Sequence, residues 1–398
     1  MLLRTFFILI VAFVCGCDDS DDLPGMEAVE DFGANPGNLL MFRHVSTTAT
    51  ADAPLVVVLH GCSQNAADAA ELSGWNELSD RYGFHVLYPE QKTINNVSEC
   101  FNWFDEDDIV RNGGEARSIE AMVWKMRQDH SIDAGRIHVT GLSAGGAMSA
   151  VMLGCYPDIF KAAAVMSGGP YFAATDIFTS ASAMLGNVTK SPQQWGDLVR
   201  AHGTGPWGRM AIFHGENDDV VNPTNARELV KQWTDVHGID QEPDLTVSYP
   251  TAPDVTRIEY HDAQGQAPVV WFRINDMGHA LAVDPGACRD QGGQTGTFGT
   301  DKGFFSSYAA ARFFGLTSSD EIIGPVQASA TDTVTYSVTS FTGSQFAWEV
   351  PTGSQILGSI SGPQILVVLG TESGTVSVTE TDANGCTYLF SPLGVTVQ

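Results

Sequence analysis

Between Ala53 and Leu316 the chain alternates two kinds of hydrophobic pattern. The runs "PLVVVLHG", "GFHVLYPE", "RIHVTG", "FKAAAVMSGG", "RMAIFHG" and "PVVWFRIND" are short and nearly continuously apolar, as strands buried on both faces are. The stretches between them carry their apolar residues on one helical face. In "SIEAMVWKMRQDH" Ile119, Met122, Val123 and Met126 recur at three- and four-residue spacing, and "TNARELVKQWTDVHG" repeats the pattern. Strands alternating with such helices predict an α/β fold, a mostly parallel sheet with helices on both faces. In sheets of this class ligands gather beyond the carboxyl ends of the strands.

After Leu316 the pattern changes. "TDTVTYSVTSFTG", "QFAWEVP", "PQILVVLG" and "GTVSVTETDANG" are short, alternate in polarity and are punctuated by Gly, Asn and Pro, which predicts a small all-β sandwich. At the other end, one Arg precedes an apolar run from Thr5 to Val14 that is too short to span a bilayer and has the shape of an export signal. The following "VCGC" resembles a bacterial lipoprotein signal, which would make a lipidated Cys17 the mature N-terminus; simple cleavage and release is the alternative. The expected organisation is a signal over 1–17, a tether over 18–37, the α/β domain over 38–316, a linker over 317–324 and the sandwich over 325–398.

Charge narrows the partners. Against 20 Lys+Arg stand 47 Asp+Glu, a formal net charge of −27, and such a surface repels phosphate backbones, so nucleic acid is not an expected partner. Export would permit disulfides, and Cys62, Cys100, Cys155, Cys288 and Cys386 follow the signal. With an odd number of them, at least one is unpaired or pairs between chains. No CxxC or HExxH spacing supports a metal site.

The chemistry centres on "RIHVTGLSAGGAMSAV". Gly141-Leu142-Ser143-Ala144-Gly145 fits G-x-S-x-G between a strand and a small-residue helix, the setting of a nucleophile elbow. A serine hydroxyl needs a base, an acid to orient that base, and donors for an oxyanion. Where this elbow occurs the chain order is Ser, acid, His, which leaves His202, His214, His237, His261 and His279 as bases. His279 follows the last core strand in "NDMGHA", whereas His237 ends a helix, His261 sits in a polar connection, His202 lies in a glycine loop and His214 precedes the acid. Asp218 and Asp219 both lie at a strand's carboxyl end in "HGENDDVVNP", and pattern alone does not choose between them. The oxyanion donors are expected from the backbone N–H groups of Ala144 and Cys62, the latter in "LHGCSQN". His60 in that loop is expected to be a structural hydrogen-bonder, and Cys62 a disulfide partner of Cys100.

Taken together, "LHGCSQNAAD", "YPEQ", "CFNWF", "GLSAGGAMS", "HGENDDVVNP" and "MGHA" resemble the polyhydroxybutyrate depolymerase-like esterases, α/β-hydrolases related to feruloyl and acetylxylan esterases. The likeness runs collinearly from about Asn38 to Leu316. It implies Asp218 as the acid, Ser143 as nucleophile, His279 as base, and no metal or organic cofactor. It also implies that "NGGEARSI" supports the site wall and leaves Trp103 either lining the cleft or filling core. The segment "HALAVDPGA" departs from the family's Trp- and Gly-containing continuation, which bears on substrate preference. The expected substrate is a hydroxyalkanoate polyester or its oligomers, with feruloyl or acetyl esters of polysaccharide as alternative. An inactive surface-binding module is the alternative from another class. The C-terminal part resembles PKD-like immunoglobulin-type modules, which implies either polymer or cell-surface binding or a spacer.

Overall fold

The computed structural model describes residues 25–249, 251–340 and 342–398; Cys17 and the signal lie outside them. The α/β part is a ten-stranded sheet, with strands β1 (Glu27–Ala28), β2 (Leu40–His44), β3 (Ala53–Leu59), β4 (His85–Glu90), β5 (Ile132–Leu142), β6 (Ala162–Met166), β7 (Arg209–Gly215), β8 (Leu245–Ser248), β9 (Val255–Tyr260) and β10 (Val269–Ile274). Their spatial order is β1-β2-β4-β3-β5-β6-β7-β10-β9-β8. The six central strands from β4 to β10 are parallel, and antiparallel pairs close both edges. All six apolar runs of the sequence are these central strands. The edge strands escaped the pattern because they are shorter or half-exposed, as Leu245–Ser248 is.

Alternation along each central strand feeds two cores. Leu55, Val57 and Leu59 of β3 face one core, with α3 (Gly114–Asp129), α4 (Ala144–Cys155) and α7 (Thr224–His237). Val56 and Val58 face the other, with α1 (Ala66–Ser73), α2 (Trp75–Tyr82) and α8 (Ser306–Phe314). Two further helices, α5 (Ile177–Met184) and α6 (Pro192–His202), lie between β6 and β7. His202 is therefore the last residue of a helix, stacked on Phe172 at 4.3 Å, rather than a loop residue. Within the 18–37 stretch, Glu27–Ala28 pairs with β2 and Phe32 is buried in the α3 core.

The C-terminal part is all-β, with a three-stranded and a five-stranded sheet closing on Tyr336, Trp348, Ile365, Val367, Val376 and Phe390. It is fastened to the α/β part. Cys288, in the segment that follows His279, is disulfide-bonded to Cys386. Next to it the Arg289 guanidinium pairs with the buried Glu380 carboxylate and lies 3.6 Å from the Tyr388 ring centroid, while the Arg289 N–H donates to Tyr388 Oη at 2.7 Å. Residues between the two parts are paired as well, since Ser391 N–H donates to Asp320 O at 2.9 Å and Arg312 meets Asp320 at 2.6 Å.

The Cys288–Cys386 bridge spans 98 residues, and closing a loop of that length stabilises a native state by about 2–5 kcal/mol. Replacing both cysteines by serine is expected to lower the thermal midpoint by several degrees and to expose the joint to limited proteolysis. An unchanged melt would show that the side-chain contacts alone hold the two parts together.

Candidate active site

Ser143 stands where β5 ends and α4 begins, with φ 56° and ψ −118°. A side chain held at positive φ costs about 1–3 kcal/mol unless its surroundings impose it. Here they do. Ser143 N–H is held by Met166 O at 2.9 Å, and the two flanking glycines let backbones touch. A Cβ on Gly141 would sit 2.6 Å from Leu59 O, and one on Gly145 only 2.2 Å from the same oxygen. Although Ser143 occupies the N-cap position of α4, its hydroxyl makes no capping bond and stays available.

The first N–H groups of a helix lack intrahelical acceptors. Ala144 N–H is one of these, and among the described residues it donates to nothing. Cys62 N–H is likewise without an acceptor, while its neighbours are tied down: Gly61 N–H donates to Gln64 Oε1 at 2.9 Å and Ser63 N–H to Ser98 O at 2.7 Å. Cys62 and Ala144 line one narrow pocket together with Ser143, Trp103, Ala147 and Ala183. Trp103 thus belongs to this pocket. Two unpaired donors and an unengaged hydroxyl meet there in surroundings that are apolar but for Asn225.

The Cys62 loop is buttressed from below. Cys62 is bridged to Cys100, as expected from the sequence. His60 Nδ1 donates to Gly61 O at 2.7 Å, and His60 Nε2 accepts the Gln91 N–H at 3.0 Å. The Gln91 side chain in turn donates to Cys100 O at 3.1 Å and to Glu115 Oε1 at 2.5 Å, and Glu115 Oε2 accepts the Asn102 N–H at 2.8 Å. Burial pushes the His60 imidazole down to about 4, which suits an acceptor nitrogen. Burial, reinforced by the neighbouring Asp108 carboxylate, pushes Glu115 up to about 8. Glu115 is the glutamate of "NGGEARSI"; Gln64 and Gln91 fall inside the segments "LHGCSQNAAD" and "YPEQ", but the sequence does not disclose the hydrogen bonds they make.

Asp218 and His279 come from the ends of neighbouring strands β7 and β10. Their loops are zipped together, with Glu216 N–H to Ile274 O at 2.9 Å and Asn217 N–H to Met277 O at 3.0 Å. His279 Nδ1 donates to Asp218 Oδ2 at 2.8 Å, leaving Nε2 with its lone pair. Asp218 Oδ1 accepts the N–H groups of Val220 and Val221 at 3.0 and 2.8 Å. Burial by itself would raise this carboxyl, but hydrogen bonds from His214 and His279 outweigh it and hold Asp218 well below the usual carboxylate range. His214, missed as a contributor, lies 3.4 Å from Asp218 Oδ2 and donates to Val221 O at 2.8 Å. Asp219 is exposed. Among the described residues no group of three or more His, Cys, Asp or Glu side chains converges as metal ligands would.

The lowered His60 value fixes a pH dependence. The unfolded imidazole takes a proton near 6.5 and the folded one only near 4, so the stability His60 contributes is full above about 6.5 and is lost as pH falls towards 4. In that window His60→Gln should flatten the fall of unfolding free energy by up to about 1.4 kcal/mol per pH unit, measured by denaturant titration at several pH values. Identical slopes would mean that His60 is not held neutral.

Comparison with known proteins agrees with this architecture. Residues 42–244 match the family described as Esterase PHB depolymerase, and residues 316–391 match the PKD-like domain. The chain is 44% identical over 312 residues to "Poly(3-hydroxyalkanoate) depolymerase C" of Paucimonas lemoignei, covering 78% of this chain and 74% of that one. It is 35% identical over 261 residues to the acetylxylan esterase of Coprinopsis cinerea, covering 64% and 68%. The solved acetyl xylan esterase from Aspergillus awamori superposes with a TM-score of 0.59 at 27% identity, covering 64% of this chain and 93% of that one. The chain therefore belongs to the polyhydroxybutyrate depolymerase esterase family, a carboxylic ester hydrolase of the α/β-hydrolase type that carries a C-terminal PKD-like domain.

Proposed function

We propose that this protein is an exported serine esterase that hydrolyses a hydroxyalkanoate polyester or its oligomers. The observation that carries the reading is the convergence at one pocket of an unengaged Ser143 hydroxyl with the unpaired Cys62 and Ala144 amides, beside strand ends that hold Asp218 and His279. Ser143 Oγ attacks the ester carbonyl carbon while His279 Nε2 takes its proton. The two amides receive the charge that develops on the carbonyl oxygen. His279 then protonates the departing alcohol, leaving an acyl group on Ser143. Water activated by the same imidazole releases the acid and restores the serine. Asp218 holds the imidazole in the Nδ1–H tautomer and stabilises the imidazolium; its lowered pKa keeps it ionised throughout.

The surface around the pocket favours a water-insoluble ester. Helix α5, whose Ala183 and Met184 wall the pocket, presents Ile177, Phe178 and Leu185 at its two ends with Phe178 89% exposed. The loop tied to Ser63 presents Ile94 and Val97, 85% and 89% exposed. Apolar side chains this exposed mark contact surfaces when they cluster. Export is supported by the apolar Thr5–Val14 run, and Cys17 is the lipidation site if the signal is of the lipoprotein kind. The two disulfides accord with an oxidising compartment. The PKD-like part would assist by holding the enzyme near polymer or cell surface.

Ser143→Ala is expected to cut kcat by about 10⁶ and to abolish labelling by a fluorophosphonate, and Asp218→Asn to cut kcat by about 10⁴. Normal turnover in Ser143→Ala would overturn the nucleophile assignment. On purified protein, clearing of polyhydroxybutyrate film should exceed hydrolysis of methyl ferulate and acetylated xylan; the reverse order would favour a polysaccharide esterase. Phe178→Ser should depress film hydrolysis severalfold more than hydrolysis of a soluble ester, and equal effects on both would remove α5 from the polymer contact.

A further inference from the structure

The pocket beside Ser143 is walled by small and apolar groups, with one exception. Asn225, in the first turn of α7, lines it and is only 3% exposed. Its Nδ2 sits among three carbonyl oxygens, Ala183 O at 2.9 Å, Asn222 O at 3.1 Å and Met184 O at 3.3 Å. Carbonyl oxygens only accept, so a flipped amide would set oxygen against oxygen three times over, and the side-chain orientation is fixed. The opposite atom, Oδ1, is directed at Gly169, another pocket residue, where an added Cβ would lie 3.4 Å away. Among the described residues every hydrogen bond of this side chain is made by Nδ2, and Oδ1 receives none.

An amide oxygen that no protein donor reaches, yet that is not sealed off from the surrounding space, is available to a donor brought by a ligand. Here the oxygen borders the space next to the reacting serine, and that space is short: Ala144, Ala147, Ala173 and Ala183 bound it and Gly168 and Gly169 add no side chains. We propose that Asn225 Oδ1 is a specificity-determining acceptor for a free hydroxyl on the acyl chain, the 3-hydroxyl of a short hydroxyacyl group seated beside Ser143. The proposal rests on Ser143 being the nucleophile of the reaction described above. A plain acyl chain in the pocket would cover the oxygen and leave it unpaired, whereas a hydroxyacyl chain donates to it. A site that bonds a hydroxyl discriminates against the analogue lacking it, because its acceptor is then left unpaired. A unit inside a polyester has the same oxygen esterified and cannot donate, so the acceptor selects the hydroxyl end of a chain or a released oligomer.

The test compares 4-nitrophenyl esters of 3-hydroxybutyrate, butyrate and 3-methoxybutyrate, with rates corrected for spontaneous hydrolysis. The wild-type enzyme is expected to favour the hydroxy ester over butyrate by roughly tenfold in kcat/KM, the scale of one net hydrogen bond. The methoxy ester, which keeps the oxygen but not the proton, should fall to the butyrate level or below. Asn225→Ala should bring the hydroxy-to-butyrate ratio close to one. A ratio near one in the wild-type enzyme, a methoxy ester as good as the hydroxy ester, or an Asn225→Ala variant that slows both esters equally would each overturn the proposal. Should the variant not fold, the three-ester comparison on the wild-type enzyme decides alone. Film hydrolysis measured alongside separates this proposal from the polyester reading. Film cleared with a ratio near one sinks the acceptor and leaves the polyester reading standing; a tenfold ratio with film untouched supports the acceptor and removes the polymer as substrate.

Discussion

The site depends on one close approach of backbones. The Leu59 carbonyl at the end of β3 lies where a Cβ on either Gly141 or Gly145 would have to be, and Met166 O of β6 holds the Ser143 amide. Three adjacent parallel strands, β3, β5 and β6, thus fix a serine in a backbone conformation it would not otherwise adopt. The strain has a use. It lifts the hydroxyl off the helix it would otherwise cap, and turns the first amides of α4 towards the same space. Two large cores, one on each face of the sheet, hold the strands against relaxation of that turn.

Around this elbow the remaining groups are placed by loops that hydrogen-bond to one another rather than by helices. The Cys62 loop is held by a disulfide and by the His60–Gln91–Glu115 network, whose buried imidazole accepts a backbone N–H because burial keeps it neutral. The Asp218 and His279 loops are cross-linked by backbone bonds, so the 2.8 Å contact between the two side chains is a property of the paired carboxyl ends of β7 and β10 and not of one flexible loop. From His279 the chain runs on to Cys288 and Arg289, which fasten the PKD-like part. The segment "HALAVDPGA", which departs from the family, is therefore also the stretch leading to the joint between the two parts.

How much of this the sequence carried depended on how local each signal is. The six central strands and the elbow were legible because both faces of those strands are buried, and because the glycines around Ser143 answer a requirement met within five residues. Asp218 was separable from Asp219 only through the family resemblance; in space the two differ plainly, one buried against His279 and one exposed. The antiparallel edges β8 and β9, the Cys288–Cys386 bridge across 98 residues, and the roles of Gln91, His214 and Asn225 left no local trace. Each is a relation between distant segments, and an ordinary Gln, His or Asn carries no mark of the partner it will find. His202 reads as a loop residue in the sequence because Gly203 follows it, although the helix Pro192–His202 runs up to that glycine.

The central claim is that Ser143 carries the acyl group of a hydroxyalkanoate ester during turnover. The most direct measurement is mass spectrometry of the peptide containing Ser143 after rapid acid quenching of the enzyme with a hydroxybutyrate oligomer. The account predicts a transient hydroxyacyl adduct on that serine. Oligomer consumed steadily with no adduct on Ser143, and with an adduct on another residue, would contradict it.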